Sequence, residues 1–163
     1  MSHKPILTSP SLYEQGAPVV ADLLLAAADR IEANLYLTAT ASVSAGFARG
    51  ILTMTVRAEL ADLRDDVAGA ERTELGSGLA ADYYGRHYPN SRTHRDADRY
   101  ANKTTTRATA ARRSLREAEI AAEQNILAAL AAVGPIAVGT TRGQLADAFR
   151  AAASHVRRPA MTS

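Results

Sequence analysis

Two histidines and two aspartates stand close together near the middle of the chain: His87, His94, Asp96 and Asp98, with Tyr83, Tyr84, Arg86 and Tyr88 just before or among them. These residue types hold divalent metals and assist phosphodiester cleavage. Their spacing argues against both. His87 and His94 are not one helical turn apart, and the Asp96-x-Asp98 pair lacks the further acidic residues and the glycine of a calcium loop. A polar connecting loop accounts for them better. No metal, cofactor or catalytic residue is expected here.

Other chemical signatures are missing too. Gly76-Ser77-Gly78-Leu79-Ala80-Ala81 has the glycines of a dinucleotide-binding loop, but no apolar strand precedes it, so a phosphate would find no strand-to-helix turn. There is no P-loop, no Gly-x-Ser-x-Gly elbow and no His-Glu-x-x-His. Serine and histidine are present without an assignable triad. The chain is not read as an enzyme.

Recognition chemistry is better represented. Residues 1–85 carry 11 acidic and 6 basic side chains, and residues 86–163 carry 6 acidic and 13 basic ones, within a net charge of +2. Arg86, Arg92, Arg95, Arg99, Lys103, Arg107, Arg112, Arg113 and Arg116 run through one stretch, with Tyr88 and Tyr100 interleaved. Cations at this density suit a polyanion backbone, where each neutralised phosphate releases counterions. They suit equally a solvated face, or a surface that meets the acidic half of a neighbouring subunit.

The elements that would position these side chains are helical. Hydrophobic residues make up 47% of the chain, much of it alanine, and aromatics only 5%. Alanine favours helix but buries little area. Val20, Leu23, Leu24, Ala27, Ile31 and Leu35 recur at helical spacing after Pro18, which predicts a helix over 18–37. Phe47, Leu52, Val56, Leu60, Leu63 and Val67 predict a second over 45–68, with Gly69 as its stop. Leu75, Leu79 and Tyr83 predict a short third over 72–87. Residues 38–44 and 91–106 read as loops, the latter for want of apolar anchors. Ala111, Leu115, Ala118, Ala122, Ile126, Leu130 and Val133 predict a long helix over about 105–133, ended by Gly134-Pro135. Arg113 and Glu117 are spaced there for an ion pair. A last helix is predicted over 142–158. The fold expected is all-α, a small bundle of about five helices in a single domain over 18–163, with 1–17 as an extended, proline-bearing arm.

The end of the chain, 126–158, resembles the helix-turn-helix family of DNA-binding domains. Ala148 and Val156 stand at the separation of that family's buried small residue and the apolar residue packing back on it. Leu145 and Phe149 fill core positions, and Thr140 or Thr141 would cap the first helix. The resemblance implies contacts to phosphates or base edges from Arg150, Ser154, His155, Arg157 and Arg158, with Arg142 beside them. Arg112, Arg113 and Arg116 would support them. The chain departs from the pattern at the turn, where Arg150 replaces the usual glycine. Leu145, Phe149, Ala152 and Val156 also form one unbroken stripe, favouring a single straight helix.

Absent cysteine rules out disulfides and thiolate metal sites. Met1 to Gly16 is polar and unlike a secretory leader, and the longest apolar run, Val19 to Ala28, is far short of a membrane span. The expectation is a cytoplasmic protein that binds nucleic acid through its basic half. The alternative is a structural or assembly protein, a homo-oligomer or part of a larger particle, whose unlike-charged faces join neighbouring subunits. No membrane partner is expected.

Overall fold

A computed structural model describes residues 14–34 and 41–158. Among them the chain is all-α, with five helices: α1 (Ala17–Glu32), α2 (Ala45–Glu59), α3 (Ala61–His87), α4 (Arg92–Val133) and α5 (Arg142–Arg157). Most of the expected arm, and residues 35–37 of the first predicted helix, lie outside the described residues. The described residues form two compact units, one of 14–34, 41–60 and 118–158, the other of 61–117.

The first unit is built around α1. Gly16 precedes it at φ +127°, a conformation glycine adopts freely, and Pro18 occupies the first turn, where its missing N–H costs nothing. Val19, Val20, Leu23, Leu24, Ala27, Ala28 and Ile31 are all buried. This wide apolar face is covered mainly by α5 and also by α2. From α5 come Leu145, Phe149 and Ala152, and from α2 come Leu52 and Val56. Ala118, Ala122, Ile126 and Ala129 of α4 are buried in the same unit. Burying a Leu or Phe side chain contributes about 1.5–3 kcal/mol, so these few large residues dominate a core otherwise made of alanine.

The helix starts are locally encoded. Ser44 accepts from the Phe47 N–H at 3.2 Å at the head of α2. Thr141 and Gln144 form a reciprocal capping box at the head of α5, at 3.2 and 3.0 Å. The connector before it turns through Gly134 (φ +76°) and Gly139 (φ +87°). Its end pairs with the segment before α2: the Val43 N–H donates to Thr140 O at 2.8 Å, and Ser42 and Thr141 form an isolated antiparallel bridge. The end of the segment read as a loop thus makes a β-type pairing at a single point.

The second unit is a two-helix hairpin of α3 and the first part of α4. Asn90 makes the tight turn at φ 60°, which asparagine tolerates, and Ser91 caps α4 by accepting from the His94 N–H at 3.0 Å. At Gly85 a side-chain Cβ would lie 3.0 Å from His94 Nε2, so glycine here lets the imidazole rest against α3. The seam is made of small residues: Val67, Ser77 and Ala81 from α3, Thr104 and Ala108 from α4, all buried.

Three predicted boundaries are corrected. The second predicted helix divides at Leu60, where α2 ends and α3 begins. The third begins at Ala61 rather than Arg72. The stretch 91–106, expected as a loop, is helix, so α4 is continuous from Arg92 and runs 42 residues. Its seam residues Ala101, Thr104 and Ala108 are too small or polar to register as a hydrophobic stripe.

Candidate nucleic-acid interface

The arginines of α5 are largely occupied by the protein's own carboxylates. Arg150 donates to Glu32 and to Asp29, the latter at 3.2 Å. Its hydrogen bond holds the Glu32 carboxyl below its ordinary value, and the same bond raises the Arg150 guanidinium. Arg157 donates to Asp22. These contacts tie α5 back to α1. Arg142 lies over the Phe47 ring, 4.7 Å from its centroid, and its buried Nε has no hydrogen-bond partner among the described residues. Ser154, His155 and Arg158 are exposed and make no ion pair among the described residues.

The helix-turn-helix resemblance asks for a turn near Arg150. α5 instead runs unbroken from Arg142 to Arg157. The Ala151 to Ala153 run continues the helix, as its propensity dictates. Leu145 and Phe149 are buried as core residues, while Ala148 and Val156 are only half-buried.

On the hairpin, Arg112 is likewise taken up. It bridges Glu71 at 2.8 Å and Glu74 at 2.5 Å, both on α3, and these hydrogen bonds raise its pKa. Arg113 and Arg116 are exposed and make no ion pair among the described residues, so the expected Arg113–Glu117 pair does not form. Of the sequence-predicted contact residues, Arg112, Arg150 and Arg157 thus pair with carboxylates of their own units, while Arg113, Arg116, Ser154, His155 and Arg158 are exposed.

A different set does line up. Because 91–106 is helical, Arg92, Arg95, Arg99, Lys103 and Arg113 fall on one face of α4, opposite the buried Thr104 and Ala108. Thr106 and Ala110 fill the same exposed face between them. The Arg92 and Arg99 side chains are 91% and 83% exposed, and among the described residues their only carboxylate neighbour is Asp96, at 3.8 and 3.9 Å. Arg95 donates to the Asn90 carbonyl at 2.8 Å, also at the surface. Lys103, Arg107 and Arg113 have no ion pair among the described residues. From Arg92 to Arg113 the ridge extends ~32 Å at 1.5 Å per residue. The sequence names these cations; their alignment was hidden by reading their segment as a loop.

The histidine–aspartate group stays modest. His94 Nε2 lies 3.3 Å from Asp98, while His87 packs on Tyr83 with ring centroids 4.5 Å apart. Among the described residues no three His, Asp or Glu side chains are grouped to hold a metal ion, and no helix is long and apolar enough to cross a membrane. Compared with known proteins, the chain matches no family model, no curated protein and no solved structure.

Proposed function

We propose that this protein binds the backbone of a nucleic acid, without base-specific chemistry, along the outer face of α4. The observation that carries the reading is the row Arg92, Arg95, Arg99, Lys103 and Arg113, exposed together on one helical face with only Asp96 intruding. A straight ridge of ~32 Å spans about nine base pairs at 3.4 Å each, so one helix can follow a run of phosphates. Arginine suits this work because its planar fork stays charged and pairs bidentately with phosphate oxygens. The reading departs from the sequence expectation in place, not in partner. Arg112, Arg150 and Arg157 hold the fold, and the contacts pass to the first half of α4.

The test is fluorescence anisotropy with a labelled duplex of about 20 base pairs across a salt series. Four to five phosphate contacts predict that log K falls with log salt with a slope of about −4. Replacing Arg95, Arg99 and Lys103 together by alanine makes the slope about 3 shallower and weakens binding in low salt by more than tenfold. No binding in low salt, or a triple variant with unchanged slope, removes the proposal.

A further inference from the structure

The side of the hairpin away from the arginine ridge carries a different signal. Leu75, Leu79 and Tyr83 are 66%, 61% and 52% exposed, on the side of α3 opposite the buried Ser77 and Ala81. Their four-residue spacing makes one continuous apolar stripe. Single exposed leucines are ordinary, but a helix whose seam is already filled has no need of a second apolar face.

The residues around that stripe form a palindrome. Leu75-Gly76-Ser77-Gly78-Leu79 reads the same in both directions about Ser77, and the same centre relates Arg72 to Asp82. No contact among the described residues accounts for this pattern. Apart from the helix's own adjacent backbone, no described atom lies within 4 Å of where a Cβ would stand at Gly76 or Gly78, so no close contact calls for glycine. Each costs a helix interior about 1 kcal/mol relative to alanine. Arg72, Asp82, Arg86 and Asp65 are exposed and make no ion pair among the described residues.

We infer that the outer face of α3 docks on the same face of a second copy, antiparallel, about a two-fold axis level with Ser77. A two-fold interface must be self-complementary, with each residue meeting its counterpart across the axis. This sequence satisfies that condition at four levels. Leu75 meets the second copy's Leu79, and Leu79 its Leu75. Gly76 lies level with its Gly78, one on each flank of that face. Arg72 lies level with its Asp82, giving two opposite-charge pairs by symmetry. Arg86 comes within one turn of its Asp65. A parallel pairing would instead set Arg72 against Arg72 and Asp82 against Asp82. Two single helices in contact bury less than the ~1,600 Å² of a standard interface, so the dimer is a weak one. The inference does not depend on nucleic-acid binding, since the arginine ridge lies on the other helix.

The experiment is sedimentation equilibrium of the whole chain up to about 500 μM, a range in which a Kd of ~100 μM is readily measured. The mass of the wild type is expected to rise from 17.3 kDa toward twice that value. Leu79→Glu, at an exposed position that leaves the hairpin seam intact, should weaken the dimer at least tenfold, with far-UV circular dichroism unchanged. Arg72→Asp and Asp82→Arg should each weaken it, and the double variant should regain most of the loss because the pair is restored in reverse. A wild type that stays at 17.3 kDa throughout overturns the inference. So does a Leu79→Glu dimer as tight as the wild type, or a charge-swapped double variant no better than either single one.

Discussion

Ser77 and Thr104 share a hydrogen bond of 2.5 Å inside the hairpin, between two buried hydroxyls on opposite helices. Each hydroxyl also lies within reach of a carbonyl in its own helix, Ser77 of Glu74 O at 3.0 Å and Thr104 of Ala101 O at 2.8 Å. A hydroxyl has one proton, so one of the pair donates across the seam and the other donates to its own helix. Neither group is stranded if its neighbour is removed. Ser77→Ala and Thr104→Val should therefore each cost only about 0.5–1.5 kcal/mol, and the double variant should cost less than their sum. Urea unfolding of the four proteins measures this coupling. Strict additivity would mean that the cross-helix bond contributes nothing.

The cap of α5 gives a second measurable quantity. Thr141 accepts from the Gln144 N–H at 3.2 Å and the Gln144 side chain returns a bond to the Thr141 N–H at 3.0 Å. Thr141→Ala removes one half of this box and leaves an N–H at the helix start unsatisfied. The expected loss is about 1 kcal/mol in urea unfolding. Thr141→Ser should keep most of it, because serine supplies the same acceptor. Equal losses for the two variants would show that the threonine methyl, not the hydroxyl, matters.

Where the sequence was legible, large side chains made it so. Leu23, Leu24 and Ile31 of α1 and Leu145 and Phe149 of α5 sit at helical spacing and are all buried, so both helices and their inner faces follow from the pattern. The hairpin was opaque for the opposite reason. Its seam uses Ser77, Ala81, Thr104 and Ala108, which carry little hydrophobic signal. Its large apolar residues, Leu75 and Leu79, face outward. A reading that equates apolar periodicity with the core finds the helix there but assigns the wrong face. The division at Leu60 has no glycine or proline to announce it, and Leu60 is itself buried. The arginine partners were hidden because they lie far along the chain. Arg150 reaches back to Glu32 and Asp29, and Arg157 to Asp22, contacts that only the packing of α5 on α1 creates.

Acid should weaken the α1–α5 contact in a defined window. The Arg150 hydrogen bond lowers the Glu32 pKa from 4.5, so the folded state binds that proton less readily than the unfolded chain does. The corresponding stability is fully present above about pH 4.5 and is lost as pH falls through the lower, folded value. Glu32→Gln should flatten that part of the pH dependence of thermal unfolding while leaving the neutral and alkaline side unchanged in shape. A wild type and Glu32→Gln with parallel acid limbs would mean that the pair makes no net contribution, as exposed ion pairs often do not.

The division between structural and free arginines makes the sharpest prediction. Arg150→Ala removes contacts to Glu32 and Asp29, and Arg157→Ala removes the contact to Asp22. Both should lower the melting temperature, yet change affinity for duplex DNA by less than about twofold, under 0.4 kcal/mol. Arg99→Ala should do the reverse. Its side chain is 83% exposed and its nearest carboxylate is 3.9 Å away, so the fold loses little. On the proposed reading the DNA loses one phosphate contact, which reduces the salt slope by about 1. Melting curves and salt titrations on the same three variants separate the roles, because each arginine can move only one of the two readouts strongly. If Arg150→Ala weakened DNA binding with the melting temperature intact, the contact surface would lie on α5 and the ridge on α4 would be only a solvated face.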